Sequence, residues 1–373
     1  MVAKIWQFEA LDTLFFRDGT PHNAGEGGGT GIKSLFPPYM FTLQGAIRTA
    51  LALGQGWRPG GSMPFPAELG DSDSFGKISF EGPYLINDKE YLFPVPLNLF
   101  YKRTEEDAMQ FSYVLPGKKS YQTDMGGVRL PELKKPLKGA KSMQGFMIKR
   151  NSLQDLLNGK PFELSADDFD EKEYLWQNEE RAGIAINRSS GTAQEQMLYF
   201  TSHVRTKQNL SIAVKVKGID EKWHKKAPST LSLGGEGRMV SVKVTDKEDI
   251  LPFFPDFNTD KGTIKFTVIL VTPGCIWPFS SIKETNEKMQ DLIKKGFPDI
   301  PGKCVSACIG KMEQLGGFDL VRREPRPLLP IIPEGSIWFY EGKTEDIDIL
   351  KELHGKITNP LGFNQIIIGK WGD

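Results

Sequence analysis

The chain has 373 residues, 39% hydrophobic and 25% charged, with 47 basic residues balanced by 47 acidic ones. This is enough for about two domains with ordinary cores. A formal net charge of zero excludes a free-standing nucleic-acid binder with an overall basic excess. Any nucleic-acid surface must be local and balanced by acid elsewhere, as in a subunit with one face on nucleic acid and another on protein. Cys275, Cys304 and Cys308 are the only cysteines. Three is odd, and the Cys304–Cys308 spacing lacks a matching His or Cys pair, so reduced, buried thiols are expected rather than zinc or disulfides. No apolar run reaches the ~18 residues of a membrane span. The N-terminus lacks a signal-peptide core, so a cytoplasmic location without membrane contact is expected.

In chain order, residues 4–16 (KIWQFEALDTLFF) read as an opening strand running into a second apolar patch. Arg17, His22, Asn23 and a run of glycines follow. That composition cannot build a core, and loops of such length inside domains are usually functional or disordered. Leu43, Ala46, Ile47, Ala50 and Leu51 recur at helical spacing. They predict an amphipathic helix over 41–51, with Thr42 as N-cap and Pro37 and Pro38 blocking backward extension. Gly45 lies off the apolar stripe, near Arg48, where something can pack closely. Residues 78–86 and 90–97 read as a hairpin about Asn87-Asp88, with Pro94 and Pro96 putting it at an edge. Residues 118–150 carry nine basic residues against Asp124 and Glu132, and the spaced lysine, proline and glycine predict a poorly ordered arm. The acidic run at 167–173 reads as a solvated face.

Residues 183–205 (GIAINRSSGTAQEQMLYFTSHVR) have strand-like ends and a small, polar middle, the pattern of a long hairpin with a flexible tip. Residues 210–216 alternate as a strand. The stretch LSLGGEGRMVSV at 231–242 packs Gly234, Gly235 and Gly237 just before Arg238 and an alternating strand. Glycines there admit φ > 0 and leave no Cβ in the way. A phosphodiester can then approach peptide N–H groups while Arg238 clamps it. The same residues also suit a plain tight turn. Further on, residues 263–271 (TIKFTVILV) give the strongest strand signal, 284–295 read as a helix, 305–333 as short broken strands, 336–340 as a strand, 346–353 as a short helix and 363–371 as a final strand. Both halves thus follow the order of a ferredoxin-like βαββαβ unit. The expected fold is α+β, with two ferredoxin-like, RRM-like domains in tandem. They span 1–246, with an insertion at about 100–180, and 247–373.

Five stretches taken together resemble a known group: LFFRDGTPHNAG at 14–25, SLFPPYMFTLQGAIRTAL at 34–51, the hairpin at 183–205, LSLGGEGR at 231–238 and NPLGFNQIIIGKW at 359–371. The chain resembles the RAMP superfamily of CRISPR effector subunits, and within it the third subunit of the type III-B (Cmr) complex. The insertion from about 100 to 180 matches nothing in that pattern, and the loop at 26–31 is unusually glycine-rich for it. The resemblance implies a non-catalytic scaffold that holds the 5′ tag of the guide RNA, packs on the large palm-domain subunit and neighbours a backbone RAMP subunit. Cofactors and metals are not expected.

RNA recognition needs charge along the backbone, closely approachable amides and groups for splayed bases. Arg17, His22, Asn23, Lys33, Arg48, Arg188, Arg205, Gly234, Gly235, Gly237 and Arg238 are the candidate RNA-binding residues. Any single arginine among them can equally be a solvated or structural group. The alternative is a guide-RNA-processing endoribonuclease of the same superfamily, which calls for a general acid and base. Only His22, His203, His224 and His354 are present, and none is fixed by sequence beside another. A nucleotide-binding enzyme is excluded by the lack of GxxxxGK[ST] and of GxGxxG after a strand.

Overall fold

Alternating and β-branched stretches become sheet, so among the described residues strand outweighs helix by 43% to 19%. The computed structural model describes every residue except 1–2, 18–33, 72–73, 107, 124–125, 160–163, 188, 247–248, 277–281, 320–323, 358 and 373. The chain forms two compact units. The first comprises Met1–Lys89, Glu173–Glu248 and Gln314–Leu329; the second comprises Glu90–Lys172, Asp249–Glu313 and Pro330–Asp373. Most of the stretch at about 100–180 therefore lies within the second unit.

In the first unit an antiparallel sheet runs in the order Thr230–Ser232, Met239–Asp246, Lys4–Ala10, Leu210–Lys217 and Ser79–Asn87. Ile5, Trp6, Phe8, Phe80, Ile212, Val214 and Val240 are buried in it. The helix Met40–Gly54 buries Leu43, Ile47, Ala50 and Leu51, and packs beside Ser79–Asn87 and Thr230–Ser232. Its cap is Tyr39, with no side-chain hydrogen bond. Thr42 lies inside the helix, its N–H bonded to the Tyr39 carbonyl at 3.0 Å, so the proposed Thr42 cap is corrected. Trp176–Ile186 and Ala193–Thr206 form the long hairpin as a separate two-stranded sheet.

In the second unit an antiparallel sheet runs Lys303–Cys308, Ile337–Lys343, Thr263–Leu270, Ile366–Lys370. Its core gathers Phe266, Val268, Trp338, Tyr340, Ile366 and Ile368 with Met289 and Leu292, the last two from the helix Ile282–Lys295. Phe266 stacks on Tyr340, with centroids 5.1 Å apart. The final motif is an anchor. Asn364, at φ 61, donates to the Cys275 carbonyl and accepts from the Cys275 N–H, both at 2.8 Å.

The basic segment is not a poorly ordered arm. Met109–Thr123 and Gly126–Leu133 pair antiparallel, in a sheet with Leu99–Arg103 and Lys141–Ser142. Arg129 is fixed twice: its carbonyl accepts from Ser306 Oγ at 2.6 Å, and its guanidinium pairs with Glu341 at 2.7 Å. Charge on exposed strand positions masked the alternation, and backbone pairing decided the conformation. Pro94 closes the strand Glu90–Pro94, opposite Met147 of Phe146–Lys149.

Candidate nucleic-acid interface

Past the first strand, the chain is held between two partners in the first unit. Leu14 exchanges both backbone bonds with Val204 of the long hairpin, each 2.8 Å. One residue on, the Phe15 carbonyl accepts from the Gly235 N–H at 2.9 Å, and Phe15 bridges Gly234 in parallel. The hairpin and the glycine loop are thereby brought to either side of residues 12–16.

The glycines serve this joint. Gly234 has φ 81, and a Cβ there would lie 2.3 Å from the Phe15 carbonyl oxygen; a Cβ on Gly235 would lie 2.9 Å from a Phe15 ring carbon. The loop closes on itself through Leu233 N–H to the Arg238 carbonyl at 2.8 Å. The close approach here is to the chain's own backbone, which takes the Gly235 amide. Gly237, at φ 62 with no neighbour around its Cβ position, faces open space.

Around this joint stands a cluster of charges. Glu179 accepts from Arg205 Nε at 2.6 Å and from Arg181 Nη2 at 2.7 Å. Hydrogen bonds from Arg205 first and Arg181 second hold its carboxyl down at about 2. Asp12 lies 3.3 Å from Arg205, 3.4 Å from Arg238 and 3.7 Å from Arg181. Three guanidiniums share two carboxylates in direct contact, and a third carboxylate, Glu236 of the glycine loop, acts on the same spot through space. Arg205 is the most open of the arginines, its side chain 52% exposed against 31% for Arg181 and 21% for Arg238. The Nε of Arg238 is buried without a protein partner.

His203 lies beneath, 1% exposed. It stacks on Phe15 with centroids 5.0 Å apart, and its Nδ1 is 3.3 Å from Thr13 Oγ1. Burial first, then the charges of Arg238 and Arg181, push its pKa below the usual histidine value. It is therefore a neutral packing group.

The sequence-derived candidates divide clearly. Arg205, Arg238 and the three glycines meet in this one place. Arg17 is exposed and bridges Ser34, while Ser34 Oγ accepts the Phe16 N–H at 2.7 Å. Arg48 is committed elsewhere: it donates to the Asp71 carbonyl at 2.6 Å and to Gln44 at 3.1 Å. Its guanidinium also lies over the rings of Phe65 and Phe75, and burial lowers its pKa. His22, Asn23, Lys33 and Arg188 lie outside the described residues. Asp12, Glu179 and Arg181 escaped sequence reasoning. The only available signal was that Glu179 and Arg181 are two apart on one strand, so share a face. Among the described residues, no His, Cys, Asp and Glu grouping could hold a metal, and no helix is long and apolar enough to cross a membrane.

A sheet-rich α+β chain with an arginine cluster at the base of a long hairpin is the class that fold and site define. The chain belongs to the CRISPR-associated protein (Cas_Cmr3) family, whose pattern it matches over residues 6–371. It shares its fold with a chain of the cryo-EM structure of type III-B Cmr-beta bound to cognate target RNA. That match has 18% identity and a TM-score of 0.51, and covers 97% of this chain and 96% of the other. A chain of type III-B Cmr-beta bound to cognate target RNA and AMPPnP is similar at 17% identity and TM-score 0.52, over 98% and 99% of the two chains. No curated protein sequence matches it.

Proposed function

We propose that this chain is a non-catalytic RNA-binding scaffold subunit of a type III-B CRISPR ribonucleoprotein in the cytoplasm. It holds the 5′ tag of the guide RNA, packs on the large palm-domain subunit and adjoins a backbone RAMP subunit. The observation that carries the reading is the group Arg181, Arg205 and Arg238, three guanidiniums gathered on one carboxylate beside the long hairpin. Planar guanidiniums suit phosphodiester oxygens, which they bind with paired donors. Family membership supports the guide RNA and the subunit partners by analogy.

The sheet orders support two ferredoxin-like units. With other elements inserted between them, Lys4–Ala10, Met40–Gly54, Ser79–Asn87, Leu210–Lys217, Glu221–Lys226 and Met239–Asp246 run strand, helix, strand, strand, helix, strand, as do Thr263–Leu270, Ile282–Lys295, Lys303–Cys308, Ile337–Lys343, Ile347–Leu353 and Ile366–Lys370. Their sheets place the fourth strand beside the first, then the third, then the second.

His203 is a poor candidate for the acid of the nuclease alternative, and His22 lies outside the described residues. A general acid needs an accessible proton near neutral pH. His203 is buried, and burial and the neighbouring arginines disfavour its charged form.

The test is binding of a short single-stranded RNA carrying the 5′ tag, measured over a salt series. Arg205→Ala and Arg238→Ala should each weaken binding, by about 1.5–3 kcal/mol where a charge-assisted contact is lost. Each should also flatten the salt slope by about 0.7. Unchanged affinity in both variants would remove the cluster from the RNA surface. Specific cleavage of repeat-containing RNA by the pure protein would replace the scaffold reading with the nuclease one.

A further inference from the structure

The two carboxylates of the cluster are held in different ways. Glu179 is clamped by short bonds of 2.6 and 2.7 Å from Arg205 and Arg181. Asp12 is central but loose. It touches all three guanidiniums, yet only at 3.3, 3.4 and 3.7 Å, and its side chain is 54% exposed. A good charge-assisted bond of this kind is about 2.7–2.9 Å. One acid therefore sets the positions of Arg181 and Arg205. The other occupies the focus on which all three arginines converge, from the solvent side.

A phosphodiester resembles Asp12 in what it offers there: one negative charge shared over two oxygens, at hydrogen-bonding distance from guanidinium forks. We propose that Arg181, Arg205 and Arg238 form one site for a backbone phosphate of single-stranded RNA, with Asp12 as its displaceable internal counterion. This rests on the RNA-binding reading above. Asp12 swings outward as the phosphate enters, while Glu179 stays and keeps two arginines aimed. The tethered carboxylate competes at high effective concentration. An isolated phosphate displaces it poorly, whereas a strand held at further points succeeds. Asp12 thus sets a threshold against stray anions.

Asp12→Asn keeps the shape and removes the charge. With the full chain and a short fluorescein-labelled single-stranded RNA as probe, this variant should bind about 2- to 5-fold tighter than the unmodified protein, the range for one surface charge pair. Its salt slope should be steeper by up to about one unit, because no freed carboxylate takes up a cation. Glu179→Gln should weaken binding several-fold with every arginine retained. If Asp12→Asn binds equally or more weakly while Arg205→Ala still weakens binding, the counterion idea is wrong and the RNA reading stands. If the triple variant Arg181→Ala, Arg205→Ala, Arg238→Ala binds as tightly as the unmodified chain, the RNA reading fails and takes this site with it.

Discussion

Gly234 and Gly237 stand three residues apart in one loop, both at positive φ, 81 and 62. Their surroundings differ. A Cβ on Gly237 meets nothing within 4 Å, whereas one on Gly234 would lie 2.3 Å from the Phe15 carbonyl oxygen and 2.9 Å from the Phe16 ring. Gly237→Ala should therefore cost only the left-handed backbone term, about 1–2 kcal/mol. Gly234→Ala carries the same term and must also push back a backbone carbonyl, an overpacking cost of about 1–3 kcal/mol. It further strains the neighbouring Gly235 N–H bond to Phe15, worth about 1 kcal/mol. The expected total is on the order of 3–6 kcal/mol, at least about 2 more than for Gly237→Ala. Urea unfolding, with hydrogen exchange followed in peptides covering Lys4–Ala10 and Met239–Asp246, separates local from global loss. Equal destabilisation by the two variants would refute the view that the loop is built to seat Phe15. Gly235→Val should also lower stability, because its side chain meets the Phe15 ring.

Three further outcomes are expected. His224 is buried, its Nδ1 accepts from the Trp6 indole at 3.0 Å, and burial first and Lys4 second hold its pKa down at about 4. The unfolded chain takes up that proton first, so stability should be full above about pH 6.5 and fall by on the order of 3 kcal/mol as pH drops to about 4. A His224→Asn protein should show a visibly flatter profile in chemical denaturation across that window; an identical profile would rule His224 out as the cause. In the second unit, Asn364→Ala loses both bonds to Cys275 and puts an alanine at positive φ, so it should destabilise by about 2–4 kcal/mol. Asn364→Gly should recover part of that, and failure to do so would show the backbone term to be negligible. Burial pushes Cys275 and Cys308 up to about 12 and Cys304 up to about 11. A thiol reagent at pH 8 should leave buried Cys275 unlabelled in the native protein and label half-buried Cys304 and Cys308 slowly, with all three labelled in urea; rapid native labelling of Cys275 would contradict its burial.

Local pattern alone determined much of this protein. The β-branched, apolar run at Thr263–Leu270, the amphipathic Met40–Gly54 helix and the long hairpin of Trp176–Ile186 and Ala193–Thr206 are set by side chains within one window. They can be read without knowing what lies opposite. Tertiary structure decided the rest through pairings between residues far apart in sequence. The glycines at 234–237 announced a close approach, but a glycine records only that something comes near, not what; the neighbour turned out to be Phe15, some 219 residues earlier. Asp12, Glu179 and Arg181 carry no motif, because an ion pair between strands constrains only charge at two distant positions, and surface sequence is full of charge. The basic stretch around Arg129 departs from its sequence expectation for the same reason. Its lysines and prolines weaken any local preference, so its conformation was set by hydrogen bonds to neighbouring strands and by Ser306 and Glu341, none of which a single window contains.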